Sequence, residues 1–159
     1  MSVVAKGQPD GSLAFIDSQD SRTLARFGGS SSGDGFVGVL AFRRPLAAVG
    51  TAGGVAAIAN PVGRNVLISR AQLLINTATA GACTVSVGTA ANGTTLSANL
   101  IDGANANAAA PVHYDNISNP GTLGKPSQLW GATQYVTVSQ ASGAIAGIAG
   151  YVYIHYMDP

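Results

Sequence analysis

The sequence predicts an all-β chain, an antiparallel β-sandwich or jelly roll preceded by an extended N-terminal arm. Charged residues make up only 9% of the chain, with two Lys and no Glu. Helices draw on Glu, Lys and Arg for their exposed faces and i,i+4 pairs, so this chain is poorly supplied for them. Short runs of alternating apolar and polar residues recur between turn-forming Gly, Asn and Pro, the pattern of strands joined by tight connections. In addition, 27 Ala and 21 Gly supply 48 of the 159 residues. The core therefore rests on a limited set of Val, Ile, Leu and Tyr. A length of 159 residues suits one globular domain, since domains run to roughly 100–200 residues.

The elements follow in order. Residues 1–35 are expected to form the arm and its hinge. Six of the fifteen charges lie between Lys6 and Arg26, around the apolar cluster Leu13-Ala14-Phe15-Ile16. The glycine- and serine-rich run Gly28 to Gly35 has the composition of a flexible connection. Residues 36–159 are expected to form the sandwich. Val66 to Ile75 is a strand rich in Val, Leu and Ile whose inward positions change phase, because Ile68 and Leu73 are an odd number apart. That predicts a bulge near Arg70. In Cys83 to Gly88, residues Cys83, Val85 and Val87 share one face and Thr84 and Ser86 the other, which predicts a half-buried strand. Tyr135 to Ser139 repeats this with Val136 and Val138 inward. The last run, Gly150 to Met157, sets Val152 and Ile154 against Tyr151, Tyr153 and His155. With both faces usable, it is expected to be a central strand or one covered by a neighbouring subunit.

Composition also excludes classes of partner. Eight Lys+Arg against seven Asp give a net charge of +1, too little for a face that neutralises several phosphates, so no nucleic-acid partner is expected. The longest uncharged apolar stretch, Pro45 to Ala59, is shorter than a membrane helix and broken by glycines, and no signal-peptide pattern opens the chain. No membrane partner is expected. A single cysteine, Cys83, permits neither an internal disulfide nor a cysteine cage for a metal.

Three patterns imitate catalytic motifs. Gly33 to Gly38 matches G-x-G-x-x-G and Gly29 to Gly33 matches G-x-S-x-G, but both lie in the serine-glycine run rather than between a strand and a helix, where a phosphate loop or a nucleophile elbow works. His113-Tyr114-Asp115, with Asp102, offers an imidazole and carboxylates but no serine in a nucleophile's setting. Asp102 and Asp115 suit turns, where the carboxylate accepts from nearby amides. Two His, one Cys and seven scattered Asp show no metal-ligand spacing. The expectation is therefore a protein with no catalytic residues, metal or cofactor. The low charge and the terminal tyrosine strand point instead to extensive protein contact.

Between Val62 and Met157 the chain resembles the small jelly-roll decoration, or cement, proteins of tailed bacteriophage heads. The likeness is carried by Cys83 to Gly88, Asn99 to Gly103, Tyr114 to Ile117, Gly121 to Lys125 and Gly150 to Tyr156. It implies a structural virion protein, made in the host cytoplasm, that sits on the capsid exterior and binds the major capsid protein and copies of itself, as a trimer by analogy or a dimer. In that frame Leu13, Phe15, Ile16, Arg22 and Arg26 in the arm, with Arg43 and Arg44 at its base, are the expected capsid contacts. Tyr151, Tyr153 and His155 are the expected oligomer interface. The alternative is a carbohydrate-binding or adhesin module, in which Trp130, the only tryptophan, stacks on a sugar ring.

Overall fold

The computed structural model describes residues 3–7, 13–17, 23–27, 40–47 and 54–157, with side chains from residue 41 onward. The chain divides into two compact units, Met1–Gly38 and Val39–Pro159. Where an arm is expected, the described residues form β1 (Val3–Gly7), β2 (Leu13–Asp17) and β3 (Thr23–Phe27), paired in order as an antiparallel meander. Leu13, Phe15 and Ile16 fall on β2 and Arg26 on β3. Arg22, the Gly28 to Gly35 hinge and both glycine-rich motif matches lie outside the described residues.

The second unit is a β-sandwich of two antiparallel sheets. One sheet contains β4 (Leu40–Ala47), β6 (Val66–Thr77), β9 (Val112–Asp115), β10 (Gln128–Trp130) and β12 (Ala149–Met157), in the order β10-β6-β12-β4 with β9 also paired to β6. The other is β5 (Ala56–Ala59), β11 (Tyr135–Gly143), β7 (Cys83–Ala90) and β8 (Ile101–Asn105), in the order β5-β11-β7-β8. Among the described residues no helix is long and apolar enough to cross a membrane.

Alternation builds the core. Ile68, Leu73, Ile75, Val152 and Ile154 project from the first sheet, and Val85, Val87, Ile101, Val136 and Val138 from the second, all essentially excluded from solvent. Burial of one such side chain contributes about 1.5–3 kcal/mol relative to exposure. β12 lies between β6 and β4, central as its two usable faces predict. Its pairing with β6 slips between His155↔Arg70 and Tyr156↔Ile68, leaving Ser69 as the extra residue. This is the bulge predicted near Arg70, and it keeps Ile68 and Leu73 on the same inner face.

One expectation is corrected. β7 is not half-solvated, because Ser86 and, on neighbouring β11, Thr137 and Ser139 are fully buried. The segment 91–99 between β7 and β8 folds over this outer face. Thr137 donates to the Thr95 carbonyl at 3.0 Å, and the Asn99 side chain accepts from the Thr89 amide and donates to its hydroxyl, each at 2.9 Å. Gly88 permits the close approach: a Cβ there would lie 2.4 Å from Ser97 Oγ and 2.8 Å from the Ser97 carbonyl carbon. Ser86 sits at an irregularity of the β7–β8 ladder and accepts the Gly103 amide at 3.0 Å. The buried polar residues therefore have the hydrogen bonds that burial requires.

Candidate functional site

The outer face of the five-stranded sheet gathers most of the sandwich residues singled out in the sequence. Its construction starts on β6, where two short strands share one edge: β10 pairs with Val66–Ile68 and β9 with Gln72–Ile75. Between them the β6 backbone has no strand neighbour on that side. The gap is closed by Asn116, fully buried, whose Oδ1 accepts the Ala71 amide at 2.8 Å while Nδ2 donates to the carbonyls of Lys125 (3.1 Å) and Pro126 (2.7 Å). The Asn116 amide also donates to the Ala71 carbonyl at 3.1 Å.

The bulge turns Arg70 outward, where its guanidinium meets Asp115 Oδ2 at 3.2 Å. Asp115 is only 4% exposed. Its Oδ1 accepts the amides of Ser118 (2.6 Å) and Ile117 (2.8 Å), the turn role the sequence predicts. The Ser118 amide chiefly, then the Ile117 amide and Arg70, hold this carboxyl below its ordinary pKa against the opposing effect of burial. Asp102, on β8, likewise accepts an amide, that of Leu123 at 3.2 Å. His113 and Asp115 are not joined as base and orienter. The carboxylate is taken by Arg70 and the two amides, and His113 Nε2 lies 3.3 Å from Gln72 Nε2.

Gln72 is the hinge of a polar row. Its Oε1 lies 3.2 Å from His155 Nε2, so one amide bridges the two histidines across three strands. Beside them, Tyr151 and Tyr153 tilt against each other with ring centres 6.2 Å apart, and the Arg43 guanidinium lies 4.8 Å from the Tyr151 ring centre. That separation is within cation–π range. Register places Arg43 opposite Tyr153, and Arg44 opposite the buried Val152. The adjacent arginines therefore occupy opposite faces of β4 and do not act as one patch. Both border a cleft on the β4–β5 edge that Phe42, Ile58 and Tyr135 also line.

Trp130 is fully buried, its ring edge-on to Tyr156 at 5.9 Å and its indole N–H donating to the Gln134 carbonyl at 3.0 Å. It presents no face to a sugar, and the stacking role considered from sequence is withdrawn. Among the described residues no group of three or more His, Cys or Asp is disposed to hold a metal ion. Sequence inspection passed over Gln72 and Asn116. The one available signal was a polar residue in the outward phase of an otherwise apolar strand, which holds for Gln72 and not for Asn116.

Compared with known proteins, the chain matches no family model, no curated protein and no solved structure.

Proposed function

We propose that the chain is a structural virion protein, without catalysis, that binds the outer surface of a phage capsid through protein–protein contacts and reinforces it. The observation that carries this reading is the outer face of the five-stranded sheet. Tyr151, Tyr153, Arg43, His155, Gln72 and His113 form one half-exposed array of aromatic, guanidinium, imidazole and amide groups. Tyr and Arg are the residue types that dominate protein interfaces, because each combines a large packing surface with directional donors. The likeness to decoration proteins between Val62 and Met157 adds the capsid as partner, and the low charge of the chain fits a surface meant for other proteins.

In this scheme modest affinity at each site is multiplied by the number of symmetric copies. The β12 face and the N-terminal residues Leu13, Phe15, Ile16, Arg22 and Arg26 serve as the contact regions. The test is co-sedimentation of the full chain, and of a chain lacking residues 1–35, with heads assembled from the same phage's capsid protein. The full chain is expected to saturate at a fixed ratio to capsid protein and the truncated chain to remain folded but unbound. Failure of the full chain to sediment with heads refutes the capsid reading, and full binding by the truncated chain removes residues 1–35 from it.

A further inference from the structure

We infer that the outer face of the five-stranded sheet docks a carboxylate-bearing protein surface rather than the same face of a second copy. This rests on the protein-binding reading above and names the chemistry of the partner at that site.

Charge is unevenly distributed over this face. Its cationic or proton-accepting groups are Arg43 on β4, Arg70 on β6, His113 on β9 and His155 on β12. Among the described residues the only carboxylate on these strands is Asp115, which already accepts from Arg70 and two backbone amides. At 4% exposure it is too enclosed to offer a partner the lone pair left on Oδ2. The remaining polar groups are the Tyr151 and Tyr153 phenols and the Gln72 amide, the latter occupied by the two imidazoles. The face is therefore rich in donors and short of accessible anions.

A two-fold contact of this face with itself would bring Arg43 no accessible carboxylate, because each copy's Asp115 is buried and bonded to its own Arg70. A carboxylate-bearing partner supplies what the face lacks. A guanidinium stacked on an aromatic ring still presents edge N–H groups for paired hydrogen bonds to a carboxylate, and flanking phenols add further donors. Nucleic acid fits less well. Among the described residues Arg43 and the already paired Arg70 are the only guanidiniums of the face, whereas phosphate-driven binding depends on neutralising several phosphates.

The experiment uses the full chain and three probes, poly-L-glutamate, poly-L-lysine and a 20-mer oligothymidylate, with binding followed through the side-chain resonances of Tyr151, Tyr153, His113 and His155. Arg43→Glu is the variant; the residue is exposed, and an unchanged unfolding midpoint verifies that the fold survives. Poly-L-glutamate is expected to bind saturably, to weaken as salt rises, and to lose about tenfold or more in affinity with Arg43→Glu, the scale of a desolvated charge contact. Poly-L-lysine is expected not to bind. The inference is overturned if poly-L-glutamate does not bind, if the variant binds it as well as the parent, if oligothymidylate binds more tightly at the same salt, or if these residues instead report a dimer of the chain. Head binding by a parent that ignores poly-L-glutamate would overturn this inference alone. Absence of head binding with poly-L-glutamate still bound at this face would overturn the capsid partner alone.

Discussion

Replacing Asn116 with Ala tests how the five-stranded sheet tolerates two short strands on one edge of β6. The side chain is fully buried and makes three hydrogen bonds, one from the Ala71 amide and two to the Lys125 and Pro126 carbonyls. Truncation leaves all three backbone groups without that partner where β6 has no strand neighbour. At about 1 kcal/mol each, the loss is roughly 3 kcal/mol. In a unit of about 120 residues this lowers the thermal midpoint by about 10 °C. Trp130, the only tryptophan and fully buried, reports unfolding by fluorescence in a urea titration. Asn116→Asp sharpens the test. One oxygen still accepts the Ala71 amide, but the other replaces a donor that faced two carbonyl oxygens. The ionised variant is expected to be less stable than Asn116→Ala. Its folded-state pKa is raised above the unfolded value of about 3.9, so relative to the parent its stability returns as pH falls through that raised pKa and is lost as pH rises. Asn116→Ala within about 0.5 kcal/mol of the parent, or an Asn116→Asp penalty that ignores pH, would refute the reasoning.

The other predictions concern separate features. The Asp115 carboxyl is held below its ordinary pKa by the Ser118 amide first, then the Ile117 amide and Arg70, so the stability it contributes is present above the unfolded pKa and is lost as pH falls through the folded one. Asp115→Asn should therefore flatten the decline in urea midpoint between about pH 5 and pH 2, and an unchanged acid slope would count against this assignment. Burial pushes the Cys83 thiol up in pKa, so a thiol reagent at pH 8 should label it only as the chain unfolds; prompt labelling of the native protein would contradict the packing. Gly88→Val places a side chain against the Ser97 backbone and should cost at least about 1–3 kcal/mol, with faster hydrogen exchange in the segment 91–99. A stability equal to the parent's would mean that this segment does not cover β7.

Much of the fold was legible because strand periodicity is local. The inward sets Val85/Val87, Val136/Val138 and Val152/Ile154 are each written in one short run, and the bulge at Ser69 was visible in the odd spacing of Ile68 and Leu73. What was misjudged depends on distant chain. Thr137 looks solvent-facing until the segment 91–99 is laid over it, Ser86 until the irregular β7–β8 pairing brings the Gly103 amide to it, and Trp130 looks available until Tyr156 and the Gln134 carbonyl enclose it. Arg43 and Arg44 look like one cationic pair, yet the period of two separates them once β4 is known to be a strand. Gln72 and Asn116 gain their roles only because β9 and β10 meet on the same edge of β6, an arrangement no local pattern encodes.

A reconstruction of phage heads incubated with the full chain tests the proposed function most directly. The proposal predicts density for the sandwich on the outer capsid surface at symmetry-related positions, with the Tyr151–Tyr153 face turned toward acidic residues of a neighbouring protein. Bare heads at saturating chain concentration, with the protein remaining free in solution, would contradict it.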